Sequence, residues 1–343
     1  MPFAEPLVSS GLTTATATTG VAILGLGRWG VHWLRNFRQH SQARVVALCD
    51  PHGPNLDRAI ASFERPEPVF TTTDWRSAIA HPEVEAVIIV TPASTHAEVV
   101  AAALDRHLHV LVEKPLTLTV ESAYDLCAKA EQVDRQLMVD HNYLFHPAVI
   151  AGREAVASLG NLRYGYATRS HLGPVRGDVD VMWDLAIHDV AILNHWLGMM
   201  PEAVVAEGQS WLQVGIADNV WARLIYPGGL EMRMHWAWNN PDKQRRCGLV
   251  GDRGTLIFDE LATNPLVIQK GTFGINFQPE QVGTEVLAVP QAEPLAAVCD
   301  HFLRSVRSNS PSSVSSGWVG LELVRVLVGL KRSMDLRGAR IEL

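Results

Sequence analysis

The sequence predicts an α/β protein: a doubly wound parallel sheet first, then an α+β unit built on an antiparallel sheet. Three observations carry this. Over the first 140 residues, short runs of Val, Ile and Leu alternate with amphipathic stretches, the rhythm of βαβ units whose strands are covered on both faces. A Gly25-Leu26-Gly27-Arg28-Trp29-Gly30 segment joins the first apolar run to the first amphipathic stretch. After Pro147 the runs lengthen and polar residues alternate with apolar ones, as in half-exposed strands.

Taken in order, strands are expected at 21–25, 44–49, 68–71, 86–90, 109–113 and 136–140. Helices are expected at 28–39, 54–63, 74–80, 94–106 and 119–134, the last opened by Thr119 as cap. A helix at 148–158 leads into a strand at 161–172, a Gly- and Pro-containing loop at 173–180 and a helix at 183–197. Strands at 203–213, 219–226 and 230–238 follow, with Pro227-Gly228-Gly229 turning between the last two. Further strands are expected near 246–250, 254–258, 265–269 and 284–289, and helices at 293–307 and 318–334 flank the segment SNSPSSVSSG. The expected division is a flexible tail over 1–20, a first domain over 21–141 and a second over 142–343.

A chain of 343 residues, 47% hydrophobic and 19% charged, has material for two packed cores. A net charge of −7, with no basic run beyond Lys243, Arg245 and Arg246, argues against a nucleic-acid partner. No apolar stretch approaches the roughly 18 residues of a membrane span, so no membrane partner is expected. The start, MPFAEPLVSSGLTTATATTG, lacks the basic and apolar regions of a secretory signal. Cys49, Cys127, Cys247 and Cys299 lie far apart, which fits free thiols in a reducing compartment, and a cytoplasmic setting is expected. His107 and His109 alternate near a strand without a third ligand, so no metal site is expected.

The glycine segment is a GxGxxG placed between a strand and a helix, and Asp50 ends the next strand. Gly25 permits the tight turn, Gly27 lets the backbone approach a pyrophosphate, and Gly30 lets helix and strand pack closely. The helix start, with Leu26, Arg28 and Trp29 around it, presents N–H groups to phosphate. Asp50 would bond the adenine ribose hydroxyls and repel a 2′-phosphate, which favours NAD, while Arg28 leaves NADP open. The first domain is therefore expected to be a Rossmann domain that binds NAD.

Thr91, Pro92, Ser94 and His96 follow the fourth strand, and Glu113-Lys114-Pro115 closes the fifth. Both segments lie at strand carboxyl ends, where a doubly wound sheet binds its ligand, so Glu113, Lys114 and these loop residues are counted with the cofactor site. The plain alternative for Lys114 is a surface lysine pairing with Glu113.

In order and spacing, GLGRWG, Asp50, VTPASTH and HVLVEKP resemble the Gfo/Idh/MocA oxidoreductases. The resemblance runs from Val21 nearly to the end of the chain. It implies a second domain with an open, largely antiparallel sheet for substrate binding and oligomerisation, as homodimer or homotetramer. It also implies hydride exchange between a nicotinamide cofactor and a carbinol carbon, usually on a sugar or cyclitol. The family's Asp-xxx-His pattern falls on Asp184 and His188, one helical turn apart and able to face one cleft. An isolated histidine is more often a satisfied core residue, and His141, His146 and His195 are read that way or at most as polar groups of the substrate pocket.

His141-Asn142-Tyr143-Leu144-Phe145-His146-Pro147 and the stretch from Leu172 to Ala186 are similar to the nucleotide-sugar branch, which includes UDP-N-acetylglucosaminuronate 3-dehydrogenases. Ile187 stands where that branch usually has proline. Asn142, Tyr143, Arg169, Arg176, Asp184 and His188 are the candidate substrate contacts. The two arginines could meet an anionic substrate or simply pair with Asp178 or Asp180. His188 would take the hydroxyl proton, Lys114 would stabilise charge on that oxygen, and Asp184 would orient His188 or hold a neighbouring hydroxyl. The residues leave open an exchange of roles between Lys114 and His188. A cyclitol or free-sugar dehydrogenase is the nearest rival reading. A non-catalytic regulator that senses a dinucleotide would not need Lys114, Asp184 and His188 together.

Overall fold

The computed structural model describes residues 18–63 and 68–343. Six strands, β1 (Thr19–Leu24), β2 (Ala43–Cys49), β3 (Phe70–Thr72), β4 (Ala86–Ile89), β5 (His109–Glu113) and β6 (Leu137–Asp140), pair in parallel in the order 3-2-1-4-5-6. Every residue of β1, β4 and β6 is buried, as unbroken apolar strands sandwiched between helices must be. The helices are α1 (Gly30–Gln39), α2 (Gly53–Ala61), α3 (Trp75–Ile79), α4 (His96–Asp105) and α5 (Val120–Gln132). Helix α1 buries Trp33, Leu34 and Phe37 and keeps Arg35 and Arg38 outward. Thr119 caps α5 by accepting the Ser122 N–H at 3.2 Å, as its sequence position predicts. Strand order reverses between β1 and β4, which opens a crevice at their carboxyl ends.

The rest of the chain forms α6 (Pro147–Ala155), β7 (Leu162–Leu172), α7 (Ile187–Leu197), β8 (Ala203–Gln209), β9 (Asn219–Tyr226), β10 (Leu230–Ala237) and β11 (Asn239–Gly251). Then come β12 (Gly254–Asp259), β13 (Leu266–Phe273), β14 (Pro279–Val286), α8 (Pro294–Ser308), α9 (Gly317–Asp335) and β15 (Ile341–Glu342). Nine strands make one sheet in the order 14-13-12-11-7-10-9-8-15. It is antiparallel except where β10 runs parallel to β7. Its inner face buries Ala167, Leu224, Met234, Trp236, Leu249 and Phe258, while Tyr164, Trp221, Arg233 and Arg246 on the outer face are exposed. One dry face and one wet face explain the alternation in the sequence.

The last helices return to the first sheet. Ser315 accepts the Val139 N–H at 3.0 Å and donates its hydroxyl to the Val139 carbonyl at 2.7 Å, and Gly317 packs on Leu137 and Cys127.

Several elements differ from the sequence expectation. Most of the expected tail, residues 1–17, lies outside the described residues, but Thr19 and Gly20 already belong to β1. The strand expected near 246–250 begins at Asn239. Its register shifts between Asn239 and Gln244, and Pro241 falls in that interruption, where it breaks no ladder bond. The strand expected over 203–213 stops at Gln209. The helix expected over 183–197 opens with a π-helical turn, Met182–Ala186, before α7. β15, two residues long, is too short to show any periodicity.

Candidate active site

In the glycine loop each glycine meets a different local constraint. Gly25 has φ +93°, and a Cβ there would lie 2.5 Å from the Val90 carbonyl oxygen. A Cβ on Gly30 would lie 2.0 Å from the Gly25 carbonyl oxygen, so helix and turn touch through hydrogen alone. A Cβ on Gly27 would meet nothing within 4 Å and would project into the space a pyrophosphate needs. No described side chain caps the start of α1, and its first turn holds no acidic residue. That end is left open for an anion.

Asp50 is 5% exposed; its Oδ2 accepts the Leu26 N–H at 2.7 Å and its Oδ1 the His52 N–H at 2.9 Å. It therefore shapes the glycine loop from the position where a ribose would meet it. The Leu26 side chain is buried in the core, and its N–H is taken by Asp50.

Thr91, Pro92 and Ser94 lie on the loop after β4, with Ser94 exposed and the Thr91 hydroxyl 2.7 Å from that of Thr95. His96 departs from its expected role. It is 1% exposed, with Nδ1 2.8 Å from the Pro115 carbonyl and Nε2 2.9 Å from the Thr91 carbonyl. Burial holds it below its ordinary pKa. The ring fills the gap between the loops after β4 and β5, where the neutral imidazole donates to one of these two carbonyls, and both of its nitrogens face backbone and not the cleft.

A cleft of about 710 Å³ runs from Arg28 and Trp29 past Glu113 and Lys114 to Asn142, Tyr143, Asp184 and His188. Lys114 Nζ donates to the Asp184 carbonyl oxygen at 2.7 Å and lies 3.4 Å from Asp184 Oδ1. Arg176 lies 3.5 Å from the same Oδ1, and Trp238 Nε1 donates to Oδ2 at 3.2 Å. Burial works against ionisation of Asp184, but Lys114 and Arg176 outweigh it and hold the carboxyl below its usual range. Asp184 thus holds Lys114 and makes no hydrogen bond to His188, contrary to the orienting role expected of it. The π-helical turn containing Asp184 displaces it from the regular i, i+4 relation.

His188 stands against the Tyr143 ring at 4.9 Å between centroids. Burial, then the charges of Lys114 and Arg169, put its pKa well below the ordinary value, so it is neutral and able to accept a proton.

Both arginines at the site already have carboxylate partners. Arg169, 3% exposed, donates to Asp189 Oδ1 from Nε at 3.1 Å and from a terminal nitrogen at 2.7 Å, and it donates to the Tyr143 hydroxyl at 2.8 Å. Arg176 pairs with Asp178 at 2.6 Å. Sequence alone names Asp178 correctly for Arg176 but misses Asp189 for Arg169, because that pairing depends on how β7 docks on α7.

The cleft also collects residues that sequence reasoning passed over: His171, Lys243, Arg245 and Glu260. Tyr143 donates its hydroxyl to Glu260, and Arg245 donates to the other oxygen of that carboxylate at 2.6 Å. In the sequence, Lys243 and Arg245 show only as part of a basic run. Pairing of Arg245 opposite Arg169 brings that run to the cleft.

Residues 19–141 match the family described as an oxidoreductase family with an NAD-binding Rossmann fold, and residues 159–257 match the Gfo/Idh/MocA C-terminal domain. A UDP-N-acetylglucosamine 3-dehydrogenase of Acidithiobacillus ferrooxidans is 31% identical over 298 residues, covering 82% of this chain and 88% of that protein. The chain belongs to the Gfo/Idh/MocA oxidoreductase family. A protein of solved structure from Magnetospirillum magnetotacticum MS-1 superposes on this family member with a TM-score of 0.78 at 32% identity, covering 91% of this chain and 99% of that one. An inositol dehydrogenase homolog from Azotobacter vinelandii, solved with NAD+, shares the fold with a TM-score of 0.81 at 19% identity, covering 96% and 98%. The chain is thus an oxidoreductase with NAD as its cofactor. Among the described residues, no helix is long and apolar enough to cross a membrane.

Proposed function

We propose that this oxidoreductase exchanges a hydride between NAD and a secondary carbinol of a sugar carried on a nucleoside diphosphate. The observation that carries the chemistry is the approach of Lys114 and neutral His188 to one cleft, with Asp184 holding Lys114. In the oxidative direction the carbinol carbon gives up its hydride and the hydroxyl gives up its proton to His188. Lys114 hydrogen-bonds the same oxygen and stabilises the charge that develops on it. Bound at the glycine loop, NAD supplies the hydride acceptor. Asn142 and Tyr143 line the cleft and are assigned to the sugar.

Two observations favour a nucleotide-linked sugar. A relative matched over 88% of its length is named for a UDP sugar. In addition, Lys243, Arg245 and His171 line the same cleft as Lys114, with Lys243 exposed. Arg169, Arg176 and Arg245 are each paired with a carboxylate, whereas Lys243 on β11 has none among the described residues, so Lys243 is assigned to the anion. A cytoplasmic setting belongs to the same reading, which four buried free thiols suit. So does a homodimer or homotetramer through the outer sheet face, where Trp221 is 56% exposed and stacks on His235. Light scattering after gel filtration tests that assembly, and a monomer would refute it.

The function is tested with a panel of UDP sugars, free sugars and cyclitols, followed by NADH absorbance, with NADP run in parallel. A 2-oxo acid is added as acceptor so that retained NADH cannot mask turnover. The reading requires a higher kcat/KM for a UDP sugar than for its free sugar. Equal or better turnover of the free sugar or a cyclitol would replace it with the rival reading.

A further inference from the structure

Glu113 ends β5 and Asp140 ends β6, and the two are direct partners in the parallel ladder. Partners in register point to the same face, and neighbouring strands lie about 4.8 Å apart. The two carboxyl groups therefore stand side by side, and both line the cleft. Asp140 is 2% exposed and its Oδ1 has no hydrogen-bond partner among the described residues. Glu113 Oε1 accepts the Trp33 indole N–H from α1 at 2.9 Å.

Among the described residues, the surroundings supply one cation for two carboxyls. Lys114 follows Glu113 directly, and its ammonium already bonds Asp184. His141, beside Asp140, is 2% exposed, lacks a partner at either ring nitrogen among the described residues, and is pushed by burial to a pKa of about 3, so it brings no charge. From α7, His188 is neutral for the same reason. From α8, Cys299 is a buried thiol, and Glu293 ahead of it is taken up by Arg35 and Asn36 of α1. Two carboxylates this close, in a site this dry, cannot both ionise. Burial raises both pKa values, and the Glu113 charge raises Asp140 further. A doubly ionised pair would also draw the Lys114 ammonium down toward the sheet, away from the substrate side of the cleft.

We propose that Glu113 and Asp140 share one proton beneath Lys114, and that the single charge left on the pair sets where the Lys114 ammonium points. Both are positioning residues for the hydride-transfer step. The inference rests on the reading of Lys114 as the group that holds the reacting oxygen.

The test uses the full chain and the isosteric variants Asp140→Asn and Glu113→Gln, with thermal unfolding at neutral pH as the control for folding. Infrared spectra of the wild type should show a protonated-carboxyl band that persists well above pH ~4, the ordinary carboxylate midpoint. In wild-type-minus-variant difference spectra, the band of each variant's remaining carboxyl should disappear at a lower pH than the wild-type band, because burial still raises that carboxyl but its like-charged neighbour is gone. No such band in the wild type, or an unshifted band in both variants, would overturn the shared proton.

Because the chain has five lysines, 15N-lysine labelling with a Lys114→Arg reference isolates the Lys114 ammonium signal. That signal should shift in the pH range where the band disappears, and should not shift there in Asp140→Asn. An unchanged Lys114 signal across that range would refute the positioning role. Neither readout needs a substrate, so failure of the pair is distinguishable from failure of the proposed function. With a turned-over sugar in hand, kcat should fall on the alkaline side in the wild type and lose that fall in Asp140→Asn.

Discussion

Lys114 and His188 divide the proposed chemistry by charge, and that division can be measured. Lys114→Ala and His188→Asn should each lower kcat by about 10²- to 10⁴-fold, the usual worth of a positioned acid–base group. NAD affinity, read by calorimetry, should change little, because the glycine loop and Asp50 lie at the other end of the crevice. Wild-type turnover in either variant removes that residue from the chemical step. Since burial and neighbouring cations keep His188 neutral, its acid limb in kcat/KM should fall below pH 6.5 and not at it. An acid limb at or above 6.5 would mean another group is the base. The glycines give a second contrast. Gly27→Ala should leave stability intact and weaken NAD binding, since its methyl meets only cofactor space. Gly30→Ala should lower the melting temperature as well, because its methyl would strike the Gly25 carbonyl. Equal melting temperatures for the two variants would contradict this.

At the scale of elements, the buried pair Arg169–Asp189 locks β7 to α7, and Trp236 from β10 donates to the other Asp189 oxygen at 2.9 Å. Removing one partner strands a buried charge, so Arg169→Met or Asp189→Ala should cost about 3–5 kcal/mol in urea unfolding. A loss below 1 kcal/mol would show that the site relaxes around the survivor. This pair also marks where sequence reading runs out. Local signals such as the glycine loop, the Thr119 cap and the turn at Pro227 depend on residues adjacent in the chain, and they were readable there. Asp189 for Arg169, Asp140 for Glu113 and Arg245 for the cleft wall depend on the register between separate elements, which spacing along the chain does not encode. His96 shows the reverse error. Its motif position points to the cofactor, while its ring is buried between two backbone carbonyls.

For the molecule as a whole, the buried histidines set the response to acid. His96, His109, His141, His146, His171, His188, His195, His235 and His301 all titrate below their ordinary value, in each case because burial disfavours the cation. His109 goes down to about 4 and His141 to about 3. Between those values and the unfolded value near 6.5, the unfolded chain binds protons that the folded chain refuses. Their contribution is therefore complete above pH 6.5 and is lost progressively as pH falls toward 4. Glu113, Asp140 and Asp180 act in the opposite sense, since burial raises their carboxyls and folding gains protons on acidification. Three groups against nine leave a net loss. The melting temperature should drop by roughly 5 °C or more between pH 6.5 and 4.5, at the few degrees per kcal/mol typical of a chain this size. His109→Asn keeps a polar group beside Gln136 and should flatten part of that slope. A melting temperature constant or rising over the same interval would mean that the carboxyl pair beneath Lys114 outweighs the histidines.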